Sequence, residues 1–142
     1  MIVYLDASAI VKRYVSEAGS TEVNALIAGA SVVGTAAISR AEVSSALAKA
    51  VRMRLLSREE AASALQVFNS EWESLIRLQL TEVLISHAAT LAWEHGLRGY
   101  DAVHLAAAIF WQDMLGDPVT LSSYDRQLWE AAKTTGLVAW PE

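Results

Sequence analysis

An α/β domain built on a mostly parallel sheet is the fold class that the sequence predicts, on three observations. Short apolar runs alternate with longer stretches whose apolar residues recur at helical spacing, the pattern of strand and crossover helix. Two of those stretches open with the S-x-x-E signature of a helix start, Ser39 to Glu42 and Ser57 to Glu60. With 142 residues, 54% hydrophobic and 19% charged, the chain suits one domain, residues 1–142, with a sizeable core.

Ile2 to Leu5 is the expected first strand. Helical patterns follow around Ser8 to Val15 and Thr21 to Ile27, and Ser31 to Ala36, with its Val32-Val33 pair, is the second strand. Helices then begin at Ser39 and Ser57, each behind its capping signature. Leu80 to Ile85 is expected as a third strand, followed by a helix to Gly96 and a very apolar one from Tyr100 to Leu115. Asp117-Pro118 marks a turn into a fourth strand, Val119 to Ser122. A helix over Arg126 to Thr134 and a short last strand, Leu137 to Trp140, complete the pattern. No internal repeat, low-complexity tract or linker interrupts it.

Four acidic residues occupy comparable places. Asp6 follows the first strand, Glu42 lies in the helical turn after the second, Asp101 opens the apolar helix, and Asp125 follows the fourth strand. In an open parallel sheet the carboxyl ends of the strands border the ligand crevice, above all where the strand order reverses. Converged there, the four would make an oxygen-donor site for a hard cation; Mg²⁺ fits, and so does Mn²⁺. Each acid also has a simpler role, because Asp is a favoured helix N-cap and Ser39 completes a capping box with Glu42. Repetition of the pattern at three strand ends favours the shared site over four separate caps. Ser8 and Ser123, each two residues from an acid, are the expected supporting hydroxyls, with ordinary capping as the alternative.

Helical spacing puts Glu42, Ser45, Lys49 and Arg52 on one polar stripe. Lys49 and Arg52 are therefore candidate contacts for the phosphates of RNA, or simply a solvated face. The segment from Arg40 to Arg58 holds five basic residues against Glu42 alone, a balance of +4 in a chain of net charge −5. The negative total argues against a surface coated in positive charge for non-specific nucleic-acid binding, while the basic segment leaves room for a local face. His104, one turn beyond Asp101, is expected as a buried, hydrogen-bonded side chain, with general-base chemistry as the alternative. The five tryptophans are expected in the core or an interface, with Trp72 and Trp93 open to either packing or base stacking. Cysteine is absent, which excludes disulfides and thiolate metal sites. No signal-peptide pattern precedes the first strand, and the longest apolar stretches, such as Leu105 to Trp111, fall short of the roughly 20 residues of a membrane helix. A cytoplasmic protein without membrane attachment is the expectation.

With the four acids aligned, the chain resembles the PIN-domain family, and within it the VapC-type toxins of bacterial and archaeal toxin-antitoxin pairs. The resemblance is carried by Asp6-Ala7-Ser8, by Ser39-Arg40-Ala41-Glu42, by the segment Tyr100 to Ala108, and by Ser122-Ser123-Tyr124-Asp125-Arg126-Gln127-Leu128. It spans nearly the whole chain; Ser123 stands where the family more often has threonine, and keeps the hydroxyl. The resemblance implies a three-layer sandwich around a parallel sheet and an endoribonuclease dependent on Mg²⁺ or Mn²⁺. Asp6, Glu42, Asp101 and Asp125 would then be catalytic metal ligands and Ser8 the supporting hydroxyl. It further implies hydrolysis of RNA phosphodiesters by metal-activated water, homodimerisation and inhibition by a small antitoxin. Two other functions bear on the same residues. A non-catalytic metal- or RNA-binding module would keep the fold without turnover. An aspartyl-phosphate phosphotransfer enzyme would use Asp6 as nucleophile, although Ser8 stands where one such family places a second acid.

Overall fold

Alternation along the first strand decides the layering. In a computed structural model, which describes residues 1–142, β1 (Ile2–Leu5) turns Val3 and Leu5 to one face of a sheet and Tyr4 to the other. Helices α1 (Ala7–Tyr14), α2 (Ser20–Gly29), α3 (Ser39–Arg52) and α4 (Arg58–Glu71) cover the Val3 face, where Ile10, Leu26, Val43, Leu47 and Phe68 form the core. Helices α5 (Glu82–His95), α6 (Gly99–Leu115) and α7 (Arg126–Thr134) cover the Tyr4 face with Leu84, Leu91, Leu105, Trp111 and Leu128. The result is the expected three-layer α/β sandwich.

The remaining strands are β2 (Val32–Ala36), β3 (Ile76–Leu78), β4 (Val119–Ser122) and β5 (Val138–Trp140). The sheet has the order β3-β2-β1-β4-β5 and every pairing is parallel. Parallel neighbours need crossover helices, which is why both faces are covered and the central strands β1 and β4 are almost entirely buried. The order runs outward in one direction from β1 through β2 and in the other through β4, so it reverses between β1 and β4.

Gly34 of β2 lets α6 settle close to the sheet: a Cβ there would stand 2.7 Å from the Trp111 ring. That contact fixes the height of α6, which carries two residues of the site described below.

Two sequence expectations are corrected. Leu80 to Ile85 is not a strand; Thr81 caps α5 by accepting from Leu84 N–H at 3.2 Å, and the third strand lies earlier, at Ile76–Leu78. Helix capping outweighs the β-propensity of the Val83-Leu84-Ile85 run. Ser39 and Glu42 form no capping box either. Ser39 is buried, with its hydroxyl 2.6 Å from that of Thr35, and Glu42 turns toward α6. The second signature, Ser57 with Glu60, is a reciprocal capping box with both bonds at 3.0 Å.

Candidate active site

At the reversal point Leu5 lies beside Ser122, and the chain continues from these two residues into Asp6 and Ser123. Asp6 N–H donates to the Ser122 carbonyl at 3.2 Å, which carries the β1-β4 pairing one step past the strand ends. The Asp6 carboxylate is 3% exposed and accepts from Ala9 N–H (2.9 Å), Ser8 Oγ (2.6 Å) and Ser123 Oγ (2.5 Å). It is thus the N-cap of α1 as well as the hub of a polar cluster. Ser8 Oγ accepts from Tyr124 N–H at 2.9 Å and Ser123 Oγ from Asp125 N–H at 3.0 Å, so both serines tie Asp6 to the β4-α7 turn. Asp125 in turn caps α7 through Leu128 N–H at 3.0 Å.

Asp101 caps nothing; it lies in the first turn of α6, and its partner is Arg98. The Arg98 guanidinium donates from Nε to Asp101 at 3.1 Å and from Nη2 to Asp125 at 2.7 Å, bridging the two acids. Glu42, from α3, receives a 2.6 Å hydrogen bond from His104 Nε2. His104 Nδ1 lies 2.7 Å from the Tyr4 hydroxyl. Tyr4 is fully buried, and that burial, together with the charges of Asp6 and Glu42, raises its pKa well above the ordinary value. Its hydroxyl therefore keeps its proton, and the His104 ring links that hydroxyl to the Glu42 carboxylate.

Asp6, Glu42, Asp101 and Asp125 all line one cavity of about 250 Å³, together with Ser8, Arg98, His104 and Tyr124. Burial raises the Asp6 carboxyl pKa; positive charge on the nearby His104 and the hydrogen bonds from Ser123, Ser8 and Ala9 N–H only partly offset it. The Asp101 carboxyl is raised too, first by burial and then by the charge of Asp125, with Arg98 opposing. No three of these acids and His104 already close on a single point as a ligand set. Their chemistry nevertheless suits a hard cation: the acidic donors are all carboxylates, two of them, Asp6 and Asp101, are energetically uncomfortable as anions, and positive charge from Arg98 already lies between Asp101 and Asp125.

Of the residues singled out from sequence, Asp6, Ser8, Glu42, Asp101, Ser123 and Asp125 come together here. Lys49 and Arg52 do not; both lie in the last turn of α3, and Arg52 lines a separate groove with Arg58. His104 is buried, as expected, with both ring nitrogens engaged. Trp72 is buried, whereas Trp93 is 90% exposed. Arg98 and Tyr4 were not singled out from sequence; the only available signals were the i,i+3 spacing of Arg98 to Asp101 and the inward alternation of β1.

The PIN-domain family model matches residues 3–135. The chain belongs to the PIN-domain family. This PIN domain is 38% identical over 136 residues to Ribonuclease VapC45 of Mycobacterium tuberculosis, an alignment covering 95% of this chain and 92% of that protein. The crystal structure of PAE2754 from Pyrobaculum aerophilum superposes with a TM-score of 0.67 at 21% identity, covering 98% of this PIN domain and 89% of that chain. VapBC2 from Rickettsia felis, solved bound to a DNA fragment from their promoter, gives a TM-score of 0.67 at 17% identity, covering 99% and 100% of the two chains. At those identities the two structures establish the fold.

Proposed function

We propose that this PIN domain is a divalent-metal-dependent endoribonuclease and the toxin of a toxin-antitoxin pair. The observation that carries the proposal is the convergence of Asp6, Glu42, Asp101 and Asp125 on one cavity at the reversal of strand order. The extensive similarity to a protein named as a ribonuclease supports RNA as the substrate.

In this proposal the four carboxylates hold Mg²⁺, with Mn²⁺ as an alternative. Bound there, the cation supplies charge neutralisation at the phosphodiester and favours hydrolysis by water at neutral pH. The protein's own contribution is orientation. Ser8, Ser123 and Ala9 N–H fix the plane of the Asp6 carboxylate, and His104 fixes that of Glu42. Arg98 keeps Asp101 and Asp125 together and directs its guanidinium into the cavity that the substrate phosphate would enter. Lys49 and Arg52, outside that cavity, would serve as more distant contacts to the RNA backbone.

A small antitoxin protein, a homodimer and a cytoplasmic location belong to the same proposal. The exposed apolar side chains Trp93 on α5 and Phe110 and Met114 on α6 supply surface for association. The deciding experiment is cleavage of a mixed RNA pool with and without Mg²⁺ or Mn²⁺. Wild-type protein is expected to cleave only with the metal, and Asp6→Asn and Asp101→Asn to lose roughly a hundredfold or more while staying folded by circular dichroism. Full cleavage by both variants would remove these residues from the chemistry.

A further inference from the structure

Tyr124 is an exposed aromatic side chain that is held still. It precedes Asp125, lines the acidic cavity and is 37% exposed. Four contacts from three elements constrain it. Its backbone N–H donates to Ser8 Oγ, which itself donates to Asp6. Lys12 of α1 places its ammonium 4.3 Å from the ring centroid, and the Trp140 ring of β5 meets it edge-on at 6.2 Å. Gly19, with φ of +91°, lies so near that a Cβ would stand 2.7 Å from the phenolic oxygen. Surface aromatics ordinarily keep rotamer freedom; here α1, the start of α2 and β5 have already removed it.

A second recess, of about 360 Å³, adjoins the same residue. It is lined by Ser123, Tyr124, Asp125, Arg126, Trp129 and Pro141, and so shares Tyr124 and Asp125 with the acidic cavity. Trp129 is fixed by donating from Nε1 to the Pro141 carbonyl at 2.6 Å, and Arg126, highly exposed and paired on its own helix with Glu130 at 3.1 Å, lines the recess as well. A rigid aromatic wall with a cation at its edge, next to a candidate phosphodiester site, matches what an unpaired nucleotide needs: a π-face for the base and positive charge for the backbone.

We propose that this recess seats the unpaired nucleotide adjacent to the scissile phosphate, with its base stacked on Tyr124. The inference rests on the ribonuclease reading above and adds a nucleotide subsite to it. Stacking tolerates any base, so the subsite would select for single-stranded RNA at the cut rather than for sequence.

The test uses a single-stranded RNA with one cleavage position mapped with wild-type protein, and matched RNAs carrying an abasic nucleotide at each flanking position. Tyr124→Leu keeps bulk without a π-face, and Tyr124→Phe and Tyr124→Trp restore one; thermal melts confirm that all three fold. Tyr124→Leu is expected to raise KM on the order of tenfold with little change in kcat, and the aromatic variants to restore KM. An abasic nucleotide at one flanking position should cost wild type a similar factor and Tyr124→Leu almost nothing, because the stack is already gone. Equal KM values for Tyr124→Leu and Tyr124→Phe, or wild-type indifference to abasic substitution at every flanking position, would overturn the subsite alone. Wild-type protein that cleaves no RNA with either metal would overturn the ribonuclease reading, and this inference with it.

Discussion

Burial raises the Asp6 carboxyl pKa although His104 offers positive charge nearby and Ser8, Ser123 and Ala9 N–H all donate to it, so desolvation outweighs a cation and three hydrogen bonds. The sign of the stability effect follows. Between the unfolded carboxylate value and the raised folded value, the folded protein binds more protons than the unfolded chain. Stability therefore falls as pH rises through that window and is lowest above it, and Asp101, also raised, adds an effect of the same sign. Asp6→Asn removes the buried charge while keeping the shape. Metal-free Asp6→Asn is expected to melt at or above the wild-type temperature at pH 7, with the difference closing as pH falls below about 4. Scanning calorimetry across pH checks it; a gap that widens with acid would mean that the surroundings stabilise the carboxylate. A site residue that costs stability when ionised and metal-free is consistent with selection for something other than folding.

One turn of α6 carries Asp101 and the next carries His104, and the helix is seated by Trp111 against Gly34. Element geometry thus sets the hydrogen-bond chain from Tyr4 through His104 to Glu42. Tyr4→Phe deletes the hydroxyl that holds the His104 ring in place without removing any carboxylate. Its expected effects are a fold weakened by about 1–3 kcal/mol, from the buried ring nitrogen left unpaired, and Mn²⁺ affinity lower by roughly tenfold, from the loss of outer-shell orientation. Denaturant melts and calorimetric Mn²⁺ titration separate the two, and unchanged affinity would reduce the chain to a packing feature. This chain of contacts was not legible in the sequence. The acids were, because each follows an element whose boundary the apolar pattern marks; Tyr4 and His104 meet only once β1 and α6 are packed face to face, a relation that periodicity does not encode. Lys49 and Arg52 mark the opposite limit. Helical spacing correctly aligned them with Glu42, but seven and ten residues of α3 rise roughly 10 and 15 Å along its axis, which carries them away from the cavity.

For the whole molecule, the acidic cavity is a concentration of negative charge just past the carboxyl ends of β1 and β4, the strands in the middle of the sheet. Arg98 bridges only Asp101 and Asp125. A cation that binds the folded protein and not the unfolded chain adds about 2.7 kcal/mol of stability at a hundredfold excess over its Kd. For a chain of this size that raises Tm by roughly 5–10 °C. Mg²⁺ and Mn²⁺ are expected to produce such a shift in wild-type protein and not in a variant carrying Asp6→Asn with Asp101→Asn, whereas NaCl at equal ionic strength should not reproduce it. A shift that survives in the double variant would place the cation elsewhere.

The partners that complete the site come from opposite ends of the chain: Asp6 and the Ser123 hydroxyl that bonds to it are 117 residues apart. Because β1 sits in the middle of the sheet and receives β4 last on that side, a ribosome making this protein releases the first acid early and the last ones late. A nascent chain interrupted before β4 lacks the strand that aligns Asp6, the serine that holds it and Asp125 itself. On the ribonuclease proposal, this order of assembly would act as a safeguard during translation, because the site stays incomplete until β4 and Asp125 have been made.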